Sequence, residues 1–244
     1  MLNLLRSDFY KLKRSKTFLT CLGILALVVA YIIIDFSSSA YTKEQLSPST
    51  FHWIYMLFQV PYFIPVCQAL FITMLITNEY STGTIKDSVS LGFSRMKIYL
   101  SKLITVSVGS ILIMIVSIFS IGITSIFVFG IYGAFSMVDL LLLVRMFLIQ
   151  ALLYTAYGSI FLMIAFLIKN IGGTMAFSIF FILILGSIIG NSSWGRILLL
   201  MDFSPTSIPH PQAVDIGITT AVALSNLVIC SGIGGFIFKK QDIK

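Results

Sequence analysis

A polar stretch lies between two apolar runs of this chain: NEYSTGTIKDSVSLGFSRMKIYLSK, residues Asn78–Lys102. Thr84 followed by Asp87 three residues later fits a helix start, and Gly92 fits a helix stop. The spacing predicts a helix of about two turns, from Ile85 to Leu91. A short capped helix between two membrane spans is a part that a cytoplasmic partner could push. An ordinary solvated loop would fit the same spacing.

Composition identifies the broad class of protein. The chain has 244 residues, of which 58% are hydrophobic and 10% charged, and its mean hydropathy is +1.02. Soluble domains carry about 25% charged residues. The prediction is an all-α polytopic membrane protein with a single transmembrane domain over residues 1–244. No room remains for a soluble catalytic domain.

The distribution of cations predicts the orientation and argues against nucleic acid as the partner of a chain with net charge +7. Of the 16 Lys and Arg, 13 fall in segments expected on one side of the membrane, and Lys43, Arg145 and Arg196 fall on the other. This asymmetry follows the positive-inside rule, so both termini are expected in the cytoplasm.

The apolar runs predict six spans: residues 18–36, 57–77, 103–131, 147–168, 174–190 and 213–238. The third is longer than the ~20 residues that a bilayer needs and is expected to tilt or protrude. Ser94 is placed to cap the helix of the third span. Val138–Val144 is expected along the interface before the fourth. Residues 1–16 predict an amphipathic helix on the inner membrane surface, because Leu2, Leu5, Phe9 and Leu12 recur at helical spacing.

Two features lie on the predicted outer side of the bundle. Gly186 and Gly190 form a small-xxx-small pair, which allows close helix approach in a dimer or simple packing within the chain. Between spans five and six, an apolar patch too short to cross the bilayer predicts a re-entrant or extracellular helix, which either closes the exit or lies passively at the interface. This outer gate consists of Ile197, Leu198, Leu199, Leu200 and Met201, followed by Pro205.

The sequence contains few groups that could make or break bonds. It has no phosphate-binding Gly-x4-Gly-Lys-Ser/Thr loop and no His, Cys or acid spacing typical of a metal site, so no catalytic or metal-ligating residue is assigned. His210, Asp202 and Ser204 are more typical of an outer loop than of a catalytic site. An ion-coupled carrier remains an alternative, but such carriers place ionisable groups within the membrane. Here the span interiors offer Gln68, Gln150 and Asn226 but no carboxylate.

The polar stretch resembles a loop of a known family. Glu79, then Gly83-Thr84, then Arg95 and Lys102 are similar to the acidic residue, Gly-Thr, basic residue and Lys that accompany the coupling helix in permease subunits of ABC-2 type transporters. Leu200–Pro205 is similar to that family's proline-marked outer segment. The resemblance covers the whole chain.

The resemblance implies a partner ATPase and a dimer. Two copies of the ATPase would bind ATP and Mg²⁺ beneath a homo- or heterodimer of permeases, and this chain would bind no cofactor itself. The loop would pass the closure of the ATPases to the spans, with the N-terminal helix and the Lys169 turn beside it. The implied contact residues are Glu79, Tyr80, Gly83, Thr84, Ile85, Lys86, Asp87, Val89, Leu91 and Arg95.

The resemblance also gives an expectation for the cargo and the location. The chain's small size is similar to permeases of the cytoplasmic membrane of Gram-positive bacteria, such as bacteriocin-immunity and phenol-soluble-modulin transporters. An apolar or amphipathic peptide is therefore the expected cargo, and 21 Phe residues suit it. Export of lipid, polysaccharide or drug is the nearest alternative.

Overall fold

The structure is a computed structural model that describes residues 2–38, 63–129, 137–185 and 216–241. These residues are 94% helical and contain no strand. The helices are numbered α1 to α8 in chain order: Leu2–Arg14, Lys16–Ser38, Phe63–Ser81, Thr84–Ser90, Arg95–Phe129, Met137–Ile168, Ile171–Phe180 and Ile216–Lys240. A π-helical turn, Phe181–Leu185, continues α7.

Four of these helices are long and apolar enough to cross a membrane. Their apolar stretches run over Lys16–Asp35, Arg95–Val128, Phe147–Ile168 and Thr220–Lys240, each at least the ~20 residues that a bilayer core needs. A shorter apolar helix covers Ile171–Leu183. The prediction of an all-helical, multi-pass membrane protein is confirmed.

The predicted and observed helix limits differ where polar residues precede an apolar run. The helix expected from residue 103 begins at Arg95, directly after Ser94, whose carbonyl accepts from the Lys97 and Ile98 amides at 2.9 and 3.2 Å. Val138–Val144 is the first part of the continuous helix α6 rather than a separate interfacial segment. Hydropathy marks the membrane-embedded part of a helix, whereas the helix itself continues as long as its backbone stays paired.

Parts of other predictions lie outside the described residues. These are positions 57–62 of the second predicted span, 130–131 of the third, 186–190 of the fifth and 213–215 of the sixth. The small-residue pair Gly186 and Gly190 and the outer segment 191–212 also lie outside them.

Helix α6 is the centre of the bundle. In its apolar stretch 67% of the residues are buried, against 22–24% in the stretches of α2, α5 and α8. It contacts α3, α5, α7 and α8. Phe161, Ala165 and Phe166 of α6 have no exposed surface. The apolar surface left exposed on the outer helices is then available to lipid or to another membrane protein.

One close approach brings α2, α3 and α5 together. The ring of Phe71 in α3 packs against Phe18 of α2, with 4.8 Å between the ring centroids. The same ring lies over Gly109 of α5, where an added Cβ would be 2.6 Å from Phe71 Cε1. Because glycine has no Cβ, the two backbones come close enough for the ring to fill the space between them.

The N-terminal helix is confirmed as a helix, but its apolar face is not free. The chain breaks at Ser15, whose hydroxyl accepts from the Phe18 amide at 3.2 Å and so separates α1 from α2. Helix α1 packs against α5, with Leu12 and Asp8 buried. Its location on a membrane surface stays a prediction. Arg6, Lys13 and Arg14 form an exposed basic face.

Both ends of the described chain meet at one end of the bundle. α1 lies against α5, and the first residue of α5, Arg95, contacts Gln241. We call this the polar end; it comprises α1, α4, the start of α5, the turn between α6 and α7, and the end of α8.

Replacement of Gly109 by Ala is expected to lower the melting temperature by several degrees. The new Cβ overlaps the buried Phe71 ring, and overpacking of a core typically costs about 1–3 kcal/mol. Thermal unfolding of the purified chain in detergent measures the change.

Gly122→Ala is the matched control for this experiment. Gly122 lies on the same helix, and a Cβ there would meet nothing within 4 Å. Its melting temperature should stay the same or rise slightly, because Ala favours helix over Gly. Equal melting of the two variants would contradict the close approach.

Candidate functional site

Helix α4 is held between two glycine turns. Gly83 precedes it with φ 75°, and Gly92 follows it with φ 84°. The Gly92 amide donates to the Val89 carbonyl at 3.0 Å, and the Phe93 amide donates to the Ser88 carbonyl at 3.3 Å. This paired arrangement is the Schellman motif, which closes a helix with a left-handed residue. The helix stop predicted at Gly92 is confirmed.

The predicted start of α4 was wrong by one residue, and the predicted capping by a side chain was also wrong. Gly83 is the N-cap, with no side-chain capping hydrogen bond, and Thr84 is the first helical residue. The Thr84 hydroxyl donates to the carbonyl of Glu79 at 3.4 Å. Gly83 takes this place because glycine adopts a positive φ without a Cβ clash. Asp87 still lies in the first turn, where its charge complements the helix dipole.

Helix α4 has a buried inner side and a free outer side. Ile85 is 2% exposed, and Val89 is half-buried against the core. Lys86, Asp87 and Leu91 are exposed, and Leu91 has 76% of its surface accessible. The helix is therefore anchored to the bundle on one face and presents two charges and a leucine on the other.

A buried charge cluster lies next to the N-terminus of α4. Lys102 Nζ is 2.5 Å from Asp8 Oδ1 and 2.6 Å from Glu79 Oε1. Lys11 Nζ reaches the same Glu79 oxygen at 3.0 Å, and the Ser101 hydroxyl donates to Asp8 Oδ2 at 2.7 Å. We call Asp8, Lys11, Glu79 and Lys102 the charge cluster. It contains two cations and two anions, so its formal charge is zero.

The charge cluster joins three helices. Asp8 and Lys11 come from α1, Glu79 from the end of α3, and Lys102 from α5, two turns after its first residue. The side chains of Lys102, Asp8 and Glu79 are 5%, 5% and 9% exposed. Buried charges are costly to desolvate and are tolerated when they are paired and hydrogen-bonded. Lys11 has 41% of its side chain exposed, so its ion pair with Glu79 contributes less stability, because solvent screens the charge.

Asp8 is the member of the charge cluster that sequence analysis missed. Its position is three residues after Leu5 and four before Leu12, on the apolar face of α1. A carboxylate on a face that will be buried needs a cation or several donors. An acidic residue on the apolar face of α1 was therefore the signal in the sequence that could have identified Asp8. Lys102 was identified through the family resemblance but not as the partner of Asp8.

The turn between α6 and α7 packs against the end of α3. Lys169 has φ 59°, and the Asn170 side chain caps α7 by accepting from the Gly172 amide at 3.2 Å. Lys169 Nζ lies 5.6 Å from the centroid of the Tyr80 ring, and the Tyr80 ring meets Phe166 edge-on at 5.9 Å. Burial raises the pKa of the Tyr80 hydroxyl well above its ordinary value. Tyr80 thus acts as a neutral aromatic contact.

Arg95 contacts the end of α8 and is not part of the charge cluster. Its Nη1 donates to the Lys239 carbonyl at 3.0 Å and also to the Gln241 carbonyl. Gln241 Nε2 in turn donates to the Phe166 carbonyl of α6 at 2.9 Å. A guanidinium at a helix C-terminus pairs with carbonyls that have no partner inside the helix. The ends of α5, α6 and α8 are therefore tied together.

The predicted site residues divide into two groups. All ten of the predicted ATPase contacts are described, and they lie at the polar end around α4 and the ends of α3 and α5. The predicted outer gate, Ile197–Met201 with Pro205, lies outside the described residues. Within the described ranges, no group of three or more His, Cys, Asp or Glu side chains is placed to hold a metal ion.

Replacement of Lys102 by Met is expected to destabilise the chain by about 3–5 kcal/mol, the usual result of breaking a buried ion pair. Without Lys102, Glu79 keeps Lys11, whereas Asp8 keeps the Ser101 hydroxyl as its described partner. Addition of Asp8→Asn to Lys102→Met should therefore recover part of the loss. Thermal unfolding in detergent measures both effects.

Lys97→Met is the control, because Lys97 is an exposed lysine on the same helix. It should melt like the wild type. If Lys102→Met also does so, the charge cluster contributes nothing measurable to the fold.

Comparison with known proteins agrees with this architecture. Residues 4–190 match the family described as "ABC-2 family transporter protein". The matched range is more than half of the 244 residues and contains the charge cluster and all of α4. No match to this chain was found among curated proteins. The chain therefore belongs to the ABC-2 transporter family, as a multi-pass membrane component that is not itself catalytic.

Proposed function

We propose that this chain is the permease subunit of an ATP-driven exporter and that α4 is the element that docks on a separate ATPase. Membership of the ABC-2 family supports this, because the family implies an ABC ATPase partner and a dimeric permease. The observation that carries the assignment of α4 is the charge cluster, which is connected to the first residue of that helix because the Glu79 carbonyl accepts from the Thr84 hydroxyl.

Force applied to α4 has a defined route into the bundle. The helix is seven residues long, is closed at both ends by glycine turns and has Ile85 as its buried anchor. It follows directly on α3, whose last turns carry Glu79. Because Glu79 is ion-paired to α5 and α1, a displacement of α4 moves those helices too. A loop without these contacts would absorb the displacement in its own backbone.

The proposed topology has six spans, with the polar end and both termini in the cytoplasm. Its support is the excess of Lys and Arg in the segments of the polar end. The proposed assembly has two permease copies and two ATPases, with ATP and Mg²⁺ bound by the ATPases. The membrane is proposed to be the bacterial cytoplasmic membrane.

The proposed cargo is an apolar or amphipathic peptide, as in bacteriocin-immunity or phenol-soluble-modulin transport. Lipid, polysaccharide or drug is the alternative within the same family. Gly186 and Gly190 are proposed to pack in the dimer. Ile197–Met201 and Pro205 are proposed to close the outer exit. An ion-coupled carrier is a weaker candidate, because the predicted span interiors contain no Asp or Glu.

Leu91→Ser is expected to reduce ATPase turnover in the complex several-fold without lowering the stability of the permease. Leu91 is 76% exposed on the outer side of α4, so its truncation removes a docking contact rather than a core contact. The full chain, purified with the ATPase that accompanies it from its own membrane, provides both the turnover and the amount of bound ATPase.

Met137→Ser is the matched control. Met137 is 74% exposed, but it lies at the start of α6, at the opposite end of the helix from the polar end. It should leave turnover and assembly unchanged. Wild-type turnover in Leu91→Ser would argue against docking through α4, and equal losses in both variants would point to a nonspecific effect.

The purified chain without any partner is expected to hydrolyse no ATP. Its sequence has no phosphate-binding Gly-x4-Gly-Lys-Ser/Thr loop. Phosphate release from protein purified to homogeneity, measured beside a preparation with the ATPase present, provides the comparison. Sustained turnover by the chain alone would place the energy source within it and contradict the proposal.

A further inference from the structure

A groove of about 550 Å³ lies between the start of α5 and the last turns of α8. Ser94, Arg95 and Met96 line one wall, and Gly232, Gly235, Phe236 and Lys239 line the other. The groove shares no lining residue with the charge cluster or with α4. It is therefore distinct from both, although Arg95 is also one of the predicted ATPase contacts.

The mouth of the groove is cationic. Arg95 is held in place by the carbonyls of Lys239 and Gln241, which its Nη1 contacts. The Lys239 side chain is exposed at the same mouth. Lys240 lies beside it, with its Nζ 4.5 Å from the centroid of the Phe236 ring. Among the described residues that line the groove, none is Asp or Glu.

The rest of the groove is apolar and open. Met96 is 46% exposed and Phe236 is 56% exposed. A Cβ added at Gly232 would meet nothing within 4 Å, whereas one added at Gly235 would be 3.1 Å from Met96 Sδ. Gly232 thus leaves a shallow open trough on α8, away from the cations, whereas Gly235 is buried against Met96. The groove is amphipathic along its length.

The depth of the groove in the membrane follows from α5 and α8, the two helices that form it. The apolar stretch of α5 begins at Arg95, and that of α8 ends at Lys240. Lys and Arg at the end of a span lie at the level of the lipid headgroups, and the adjacent residues lie beside the acyl chains. A ligand in this groove therefore has its polar part between Arg95 and Lys239 and its apolar part along the glycine trough.

From this arrangement we infer that the groove binds one anionic phospholipid of the surrounding membrane. The phosphate lies between Arg95 and Lys239, and one acyl chain lies over Gly232, against Phe236 and Met96. Basic pockets between transmembrane helices suit such headgroups. A second copy of this chain, docked here about a two-fold axis, would place its own Arg95, Lys239 and Lys240 against these cations, and like charges in contact are unfavourable. The inference requires a membrane protein but does not rest on coupling to an ATPase.

Retention of lipid by the purified, delipidated full chain tests the inference. Dioleoylphosphatidylglycerol and dioleoylphosphatidylcholine are added separately in detergent, and bound lipid per chain is measured by native mass spectrometry. The wild type should retain about one phosphatidylglycerol, because one basic groove holds one headgroup, and much less phosphatidylcholine. Equal retention of the two lipids would overturn the inference, because the cations would then have no part in binding.

Two variants test whether the lipid binds in the groove. Gly232→Leu adds a side chain to the trough at a position where a new Cβ meets nothing within 4 Å, and it should reduce phosphatidylglycerol retention several-fold. Lys239→Gln removes one cation but keeps the carbonyl that Arg95 contacts, and it should reduce affinity about fivefold. Because the two changes differ in kind, a folding defect in one leaves the other informative.

The controls are Gly122→Leu and Lys97→Gln. Gly122 is a helical glycine with open space around its Cβ position, and Lys97 is an exposed lysine at the polar end that does not line the groove. Both should retain lipid like the wild type. If Gly232→Leu and Lys239→Gln also do so, the lipid binds elsewhere and the inference is wrong. If they instead weaken association between copies or with the ATPase, the groove is a protein interface and the inference is equally wrong.

Discussion

The ion pairs of Lys102 with Asp8 and Glu79 hold three helices together at the polar end. A buried ammonium group is stable in a low-dielectric interior when carboxylates replace the water that it loses. Here the two carboxylates come from different helices, at 2.5 and 2.6 Å. Satisfying one buried lysine therefore requires α1, α3 and α5 to hold a single relative position. A hydrophobic contact would tolerate sliding, whereas short charge-assisted hydrogen bonds do not.

A second set of polar contacts connects α5, α6 and α8 at the polar end. Arg95 contacts the last carbonyls of α8, and Gln241 contacts a carbonyl of α6. Among the described helices, α5 takes part in both sets, through Lys102 in one and Arg95 in the other, two turns apart. This helix thus links the side of the bundle that carries α4 to the side that carries the groove. Directional polar contacts provide such links because packing among apolar side chains has little directional preference.

The apolar part of the bundle is organised differently. Helix α6 has most of its apolar stretch buried, while α2, α5 and α8 expose most of theirs. In water such exposure would be costly, but lipid tails are as apolar as these side chains, so helix association in a membrane depends on close packing. The contact of Gly109 with the Phe71 ring is one such place. Exposed apolar surface on the outer helices is therefore ordinary here, and the groove at the polar end differs from it by its cations.

The amino-acid sequence is enough to predict the class of protein, the approximate position of most long helices and the presence of a short helix between α3 and α5. Those properties follow from hydropathy, helical periodicity and the backbone freedom of glycine, which are local. It also placed Glu79, Arg95 and Lys102 at one end, through spacing and family resemblance. Their distant partners follow from the packing of the helices: Asp8 for Lys102, and the end of α8 for Arg95. These partners are 94 and 144 residues away along the chain. Local sequence shows that a buried charge needs a partner, but which distant group comes within hydrogen-bonding distance depends on how the helices pack.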